Sequence, residues 1–256
     1  MARRSGPPPS ATVTTAAIVC GDVHLGPWPS GFPSFLDRLA ERPPACLVLL
    51  GDVVDYWIDD GAGVAAHREL FARLRRLRER GWRVVCVAGN RELAAGRRFA
   101  AAGRLELHWP AFDIATAAGP VRVVHGDRLC RDPGYHLFAA CARGFWARAL
   151  LTMLPSPAAH GIARLARWRS RRKGAAARAR GGSLMRLDPA RVRAAARGAV
   201  RLLAGHIHRR LHTTVGGVDL WLAGDWPGTE ARWLEVRSDG GVVRGAARAA
   251  QPPASS

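Results

Sequence analysis

ACLVLLGD (residues 45–52) is an unbroken apolar run that stops at Gly51-Asp52. Apolar side chains at successive positions give a strand two buried faces, and the polar end marks a loop at its carboxyl terminus. The same design recurs on either side. TTAAIVCGD (14–22) precedes it, and WRVVCVAGN (82–90), PVRVVHGD (120–127) and VRLLAGHIH (200–208) follow. Five predicted strands therefore end in Gly-Asp, Gly-Asp, Gly-Asn, His-Gly-Asp and Gly-His-x-His. In layered α/β folds, ligands gather at strand carboxyl ends.

The intervening stretches supply the helices of such a fold. Apolar spacing predicts helices over 32–41, 64–80 and 93–102, the second with Leu70, Leu74 and Leu77 on one side and arginines on the other. Short strands are expected at 105–109 and 112–117. Hairpins are expected over 213–226, turning at Gly216-Gly217, and over 231–243. Residues 131–198 differ, being helical and basic with no convincing strand. Helices are expected there over 136–153, 158–172 and 189–198, with Pro155 and Pro157 ending the first. In the second, Ile162, Leu165 and Trp168 oppose Arg164, Arg167 and Arg171. The segment reads as a helical cap inserted into the α/β core. Residues 1–13 and 246–256 read as disordered Pro/Ala/Ser/Arg tails around a domain spanning 14–245.

The chain has 256 residues, 48% of them apolar, enough for a sizeable core. No run of 18 apolar residues offers a spanning helix, and MARRSGPPPSATVTT lacks the apolar segment of a signal peptide. The expected location is therefore cytoplasmic. The five cysteines form no C-x-x-C pair; Cys20 and Cys86, inside predicted strands, read as small core residues. The formal charge is +19, and only Lys173 among the 39 cations is lysine. Between Arg131 and Arg210 there are 18 Lys/Arg against two acids, Asp132 and Asp188. A basic face of that kind attracts anions such as acidic phospholipid, a phosphorylated substrate or nucleic acid.

The strand-end loops carry Asp22 and His24, Asp52, Asn90, His125, and His206 and His208. Carboxylate, imidazole and amide donors together suit Mn, Fe, Zn or Ni. They are too many for one ordinary site, and enough for two metals sharing a carboxylate. Two such ions close together can hold a phosphate ester and activate water near neutral pH.

The ordered set D-x-H, GD, GN, HGD and GHxH resembles the calcineurin-like metallophosphoesterases. GNR (89–91), VVHGDRLCRDPGY (123–135) and GDW (224–226) are similar to one branch, the UDP-2,3-diacylglucosamine diphosphatases of lipid A biosynthesis. The spacings 22→52→90→125→206 are similar too, and the likeness covers about residues 17–236. It implies an α/β sandwich of two mixed sheets flanked by helices, with an inserted helical cap. It implies one metal on Asp22, His24, Asp52 and His208, and a second on Asp52, Asn90, His125 and His206, with Asp52 bridging and Mn²⁺ the expected ion. Asp52 and Arg91 would be the catalytic residues, Arg91 stabilising phosphate charge because a guanidinium does not shuttle protons. Asn90, Arg91, Asp132, Tyr135 and His206 are the expected substrate contacts, with Lys173 or Arg178 standing in for cap contacts that do not carry over. The implied reaction is attack of metal-bound hydroxide on the α-phosphorus of UDP-2,3-diacylglucosamine, giving UMP and 2,3-diacylglucosamine 1-phosphate. Peripheral attachment to the inner membrane is expected with it.

The chain departs from that pattern in two places. Glu92 stands where the branch commonly has aspartate, and a longer acid could still orient Asn90 or a histidine ligand. KGAAARARGG (173–182) replaces the polar residues with which the cap binds the head group, which keeps another nucleotide-diphosphate or phosphodiester substrate in view. The other readings are a non-catalytic membrane- or phosphate-binding module and a nucleic-acid phosphodiesterase. The complete ligand set disfavours the first, and the lack of any recognised nucleic-acid module disfavours the second. Trp146 and Trp168 among the arginines fit a membrane interface. Histidines 67, 108, 136, 160 and 212 read as surface or satisfied core residues, Asp55 and Trp57 as turn and packing positions, Asp127 as a support or turn cap rather than a ligand, and Asp225 as equally open, since a hairpin aspartate needs no function.

Overall fold

Each apolar run of the sequence forms a strand with one face toward helices and the other toward a second sheet. The computed structural model describes residues 13–26, 30–92, 94–131, 136, 154–179, 186–226 and 228–248. The first sheet contains β1 (Thr15–Cys20), β2 (Cys46–Leu49), β3 (Arg83–Val87), β4 (Glu106–His108), β10 (Glu230–Arg237) and β11 (Val242–Arg248), in the order β11-β10-β1-β2-β3-β4. Strands β1 to β4 are parallel, and β10 and β11 add antiparallel pairs at one edge. The second sheet contains β5 (Ala111–Ile114), β6 (Val121–Val124), β7 (Arg201–Ala204), β8 (Arg210–Val215) and β9 (Val218–Ala223), in the order β5-β6-β7-β9-β8. Here β6, β7 and β9 are parallel, while β5 and β8 pair antiparallel with their neighbours. Both sheets are therefore mixed.

Strand alternation divides the interior into three apolar layers. Ala17 and Val19 of β1, Val48 of β2, and Val85 and Val87 of β3 meet Val121, Val123 and Leu203 between the sheets. Ile18, Cys20, Leu47, Leu49 and Cys86 point the other way, into α1 (Phe32–Leu39), α3 (Arg68–Glu79) and α4 (Arg97–Gly103). Beyond the second sheet, Leu202, Ala204 and Leu220 pack on Val192 of α6 (Pro189–Ala195). A side chain buried on either face of a strand explains why these runs are continuously apolar rather than alternating. Cys20 and Cys86 are fully buried, and Trp57 packs edge-on against Phe71 and Phe99 at 5.6 and 4.9 Å.

Several helix and strand boundaries differ from the sequence reading. The helix expected over 64–80 is two, α2 (Gly61–Ala66) and α3, because His67 leaves helical geometry (φ −118°, ψ 24°). Asp60 starts α2 early by accepting a hydrogen bond from Gly63 N at 2.7 Å. The helix expected from 93 starts at Arg97, where Asp59 accepts from Arg98 N and Phe99 N at 3.2 and 3.0 Å. That capping carboxylate is 39 residues away in sequence, beyond any local signal. Strand β11 runs to Arg248, paired with Glu230, and so enters the segment read as a tail. The helix expected over 158–172 is α5 (Ser156–Ala179), and Pro157 falls in its first turn, where the ring is tolerated. Its Ile162, Leu165 and Trp168 are 51, 49 and 52% exposed, so that stripe is not core. The helix expected over 136–153 lies outside the described residues except for His136.

Both α5 and α6 lie in the chain between β6 and β7. The first turn of α5 is tied to the loop after β2. Ser156 donates to Asp60 Oδ2 at 2.6 Å, His160 Nε2 lies 3.1 Å from the same oxygen, and His160 Nδ1 is 3.4 Å from the Tyr56 hydroxyl. Burial works against the Asp60 carboxylate, but these hydrogen bonds outweigh it and hold its pKa below the usual range.

Candidate metal centre

The carboxyl ends of β1, β2 and β3 from one sheet and of β6 and β7 from the other converge, and the polar loops meet there. Six non-glycine residues among those described have positive φ, and five are in these loops: Asp22 (51°), His24 (48°), Asp52 (49°), His206 (67°) and His208 (56°). L-residues adopt this region at a cost, and it persists where the surroundings over-determine it, often at functional sites.

Two ligand-type clusters result. Asp22, His24 and His208 offer donor atoms within 4.8 Å of one another, and so do Asp52, His125 and His206. The clusters adjoin, with His24 Nε2 3.9 Å from Asp52 Oδ2. Asn90 belongs to the second: its Oδ1 lies 2.9 Å from His125 Nε2 and 3.1 Å from His206 Nδ1. Arg91 follows, its backbone N–H donating to Asp52 Oδ1 at 2.9 Å and its Nε 3.5 Å from Asp52 Oδ2. All seven residues read as ligands and Arg91 are thus brought together. Asp132 and Tyr135 lie outside the described residues. Lys173 is on α5, with its side chain likewise not described.

The donor atoms have the chemistry of a cation site. Asp22 is buried, with Oδ1 lacking a hydrogen-bond partner, and burial raises its pKa to about 8. His125 Nδ1 is 2.7 Å from Leu50 O, which makes that nitrogen the donor and turns Nε2, as a lone pair, toward the Asn90 oxygen. Two acceptors facing each other need a cation or a proton. Without a metal the proton is favoured, since burial would lower the His125 pKa but Asp52, Asp127 and Asp22 raise it to about 9; a bound cation would take the place of that proton. His24 Nε2 and His208 Nε2 also face each other at 3.2 Å. Burial and the neighbouring His125 take His206 down to about 4, leaving that ring neutral as a ligand must be. Burial works against ionised Asp52 as well, yet His125, Arg91 and His24 hold its pKa at about 2. The residues present fit two divalent cations.

Further contacts hold the ligand loops in place. Glu92 is buried and accepts hydrogen bonds from Asp52 N and Val53 N at 2.8 Å, Gly89 N at 3.2 Å and Val54 N at 3.3 Å. It therefore clamps the Asp52 loop to the Gly89-Asn90 loop, rather than orienting Asn90 or a histidine. Asp22 Oδ2 accepts from His206 N at 2.6 Å and ties β1 to β7 across the two sheets. Asp225 Oδ2 is 3.8 Å from His208 Nδ1, a carboxylate beside the far ring nitrogen. Gly89 sits where a Cβ would be 2.5 Å from Asp52 Oδ1, so backbone passes directly against the carboxylate.

The sequence profile of the calcineurin-like phosphoesterase family matches residues 16–227. A protein of Ralstonia nicotianae named UDP-2,3-diacylglucosamine hydrolase is 32% identical over 244 residues, 87% of this chain and 90% of its own. One of the same name from Azotobacter vinelandii is 35% identical, covering 75% of this chain and 81% of its own. Among solved structures, the phosphoesterase Yfce of E. coli aligns over 91% of this chain and 99% of its own, at 14% identity and a TM-score of 0.42.

Proposed function

Because the chain belongs to the calcineurin-like phosphoesterase family, we propose that it is a dinuclear-metal hydrolase that splits the pyrophosphate of UDP-2,3-diacylglucosamine into UMP and 2,3-diacylglucosamine 1-phosphate. The observation that carries the hydrolase is the pair of adjoining clusters, Asp22/His24/His208 and Asp52/His125/His206, with a guanidinium beside them. The substrate is supported by relatives of that name covering three quarters or more of this chain.

Asp22, His24, Asp52 and His208 would hold one ion, and Asp52, Asn90, His125 and His206 the other, with Asp52 shared; Mn²⁺ is the proposed metal. Bound there, the ions would supply Lewis-acid polarisation of the phosphoryl oxygens and an activated water near neutral pH. Arg91, held by Asp52 through its backbone and Nε, presents a fixed positive charge to the phosphate. A charge that need not reorient stabilises developing negative charge without reorganisation cost. Glu92 and Asp22 keep the loops from drifting apart, since the carboxylate of each accepts backbone N–H groups of a neighbouring ligand loop. The segment 131–198, with Asp132, Tyr135 and Lys173, is the proposed cap over the lipid-linked sugar. Among the described residues no helix is long and apolar enough to cross a membrane. The half-exposed Ile162, Leu165 and Trp168 and the arginines of α5 support contact with an anionic inner-membrane surface from the cytoplasmic side.

UMP release from UDP-2,3-diacylglucosamine in detergent with Mn²⁺, with and without chelator, tests the proposal. Chelator-sensitive release is expected. The Ala/Gly/Arg composition of 173–182 favours one second reading, a different nucleotide-diphosphate or phosphodiester. Cleavage of a generic phosphodiester without UMP release would select it.

A further inference from the structure

Beside the metal centre lies a cavity of about 360 Å³, between the second sheet, α6 and the loop before β5. Its size is in the range of small-molecule sites, about 300–1,000 Å³. His125 belongs both to its wall and to the cluster with Asp52 and His206, so the cavity adjoins the place where phosphate chemistry is proposed. Its remaining walls have a distinct chemistry. Val124 gives an apolar surface, and Trp109 at the rim is 51% exposed. The Arg128 guanidinium lies 5.2 Å from the Trp109 ring centroid, so an aromatic face and a cation form one edge. Arg191 of α6 faces the same space. Arg122 also lines it but is committed to Asp113 by two bonds of 2.7 Å, and Asp127 adds a carboxylate to the wall; Arg128 at the rim and Arg191, whose Nε lies 4.0 Å from Asp188 Oδ2, are the other two cations of the lining.

We infer that this cavity is a nucleotide subsite: Trp109 and Arg128 receive the base, Arg191 receives negative charge, and the scissile phosphate is directed past His125 to the metals. A planar base stacks on an aromatic or guanidinium face regardless of its sequence identity, and phosphate is met by arginine. Two acyl chains fit neither the volume nor the charge, which puts the lipid half of the substrate on the other side of the centre. The inference rests on the reading of the substrate as a nucleotide diphosphate.

The test uses the full-length, Mn²⁺-loaded protein and two variants, Trp109→Ala and Arg128→Ala. UMP and, separately, inorganic phosphate are titrated by calorimetry. UMP is expected to bind more tightly than phosphate, and each variant is expected to lose about tenfold in UMP affinity, the scale of one stacking contact. In parallel, the ratio of kcat/KM for UDP-2,3-diacylglucosamine to that for bis(p-nitrophenyl) phosphate should fall about tenfold, because only the first carries a nucleoside. Wild-type protein that binds UMP no better than phosphate, or variants that leave both UMP affinity and that ratio unaltered, would overturn the subsite even if UMP is released normally. Wild-type protein that releases no UMP yet binds it through Trp109 and Arg128 would sink the lipid substrate and keep the subsite.

Discussion

Replacing Glu92 by alanine tests whether one buried carboxylate holds two ligand loops together. The side chain accepts four backbone N–H groups, two at 2.8 Å from Asp52 and Val53 and two longer ones from Gly89 and Val54. A hydrogen bond to a charged group contributes about 1.5–3 kcal/mol, and a buried donor left without a partner costs about 1–3 kcal/mol. The two short bonds alone thus suggest about 3–6 kcal/mol. Burial and the charge on Asp52 oppose ionisation and raise the Glu92 pKa to about 7, which offsets part of that gain. A net loss of about 3 kcal/mol is expected, a large share of the ~5–15 kcal/mol that stabilises a domain. With a urea m-value near 3 kcal/mol per molar, the unfolding midpoint should fall by about 1 M. Because Asp52 sits at φ 49°, loosening its loop should also release metal, so the protein should retain fewer than two Mn²⁺ after dialysis. Glu92→Gln keeps the volume but turns an NH₂ toward N–H donors, and should lose metal with a smaller loss of stability. A Glu92→Ala protein that unfolds at the wild-type urea concentration and holds two metals would refute the clamp.

Three other outcomes follow from the same geometry. Arg91→Ala should lower kcat about 10²- to 10³-fold, the scale of one charge-stabilising donor, with metal content by emission spectroscopy unchanged; loss of metal would make its role structural, through Asp52. Gly89→Ala would set a Cβ 2.5 Å from Asp52 Oδ1 and 2.9 Å from His125 Cε1, so metal binding should fail, and normal stoichiometry would mean the loop has room to move. Asp60→Asn should loosen the first turn of α5, seen as faster amide exchange there. The folded pKa of Asp60 is depressed, so its contribution is present above the unfolded value near 3.9 and lost as pH falls through the lower folded value. The variant and wild type should therefore differ at pH 7 and converge in acid; a difference that persists at low pH would place the effect outside this carboxylate.

Much of this molecule is legible in its chain. Continuous apolar runs such as ACLVLLGD mark strands buried on both faces, because each position must satisfy one of two apolar layers. The ligand types announce themselves as well, since each sits just past its strand, where the apolar run turns polar. Periodicity was less reliable where a side chain from elsewhere set a boundary. Asp59 caps α4 across 39 residues, and His67 divides one apolar stripe into two helices. The stripe Ile162, Leu165 and Trp168 has helical spacing, yet it is half exposed, since spacing shows that a face exists and not what covers it.

The sequence by itself determined which strands form, that the central ones are buried on both faces, and which donor atoms stand at the strand ends, because these follow from continuous apolar runs and side-chain chemistry. Tertiary structure alone decided which donors meet. Pairing of β6 with β7, and packing of that sheet on β1 to β3, set His125 and His206 against Asp52, and His208 against Asp22 and His24. It also gave Glu92 four backbone partners and brought Trp109 and Arg128 into the cavity that His125 lines. Contacts between residues 35 to 184 positions apart depend on how whole layers stack, and no local pattern encodes that distance.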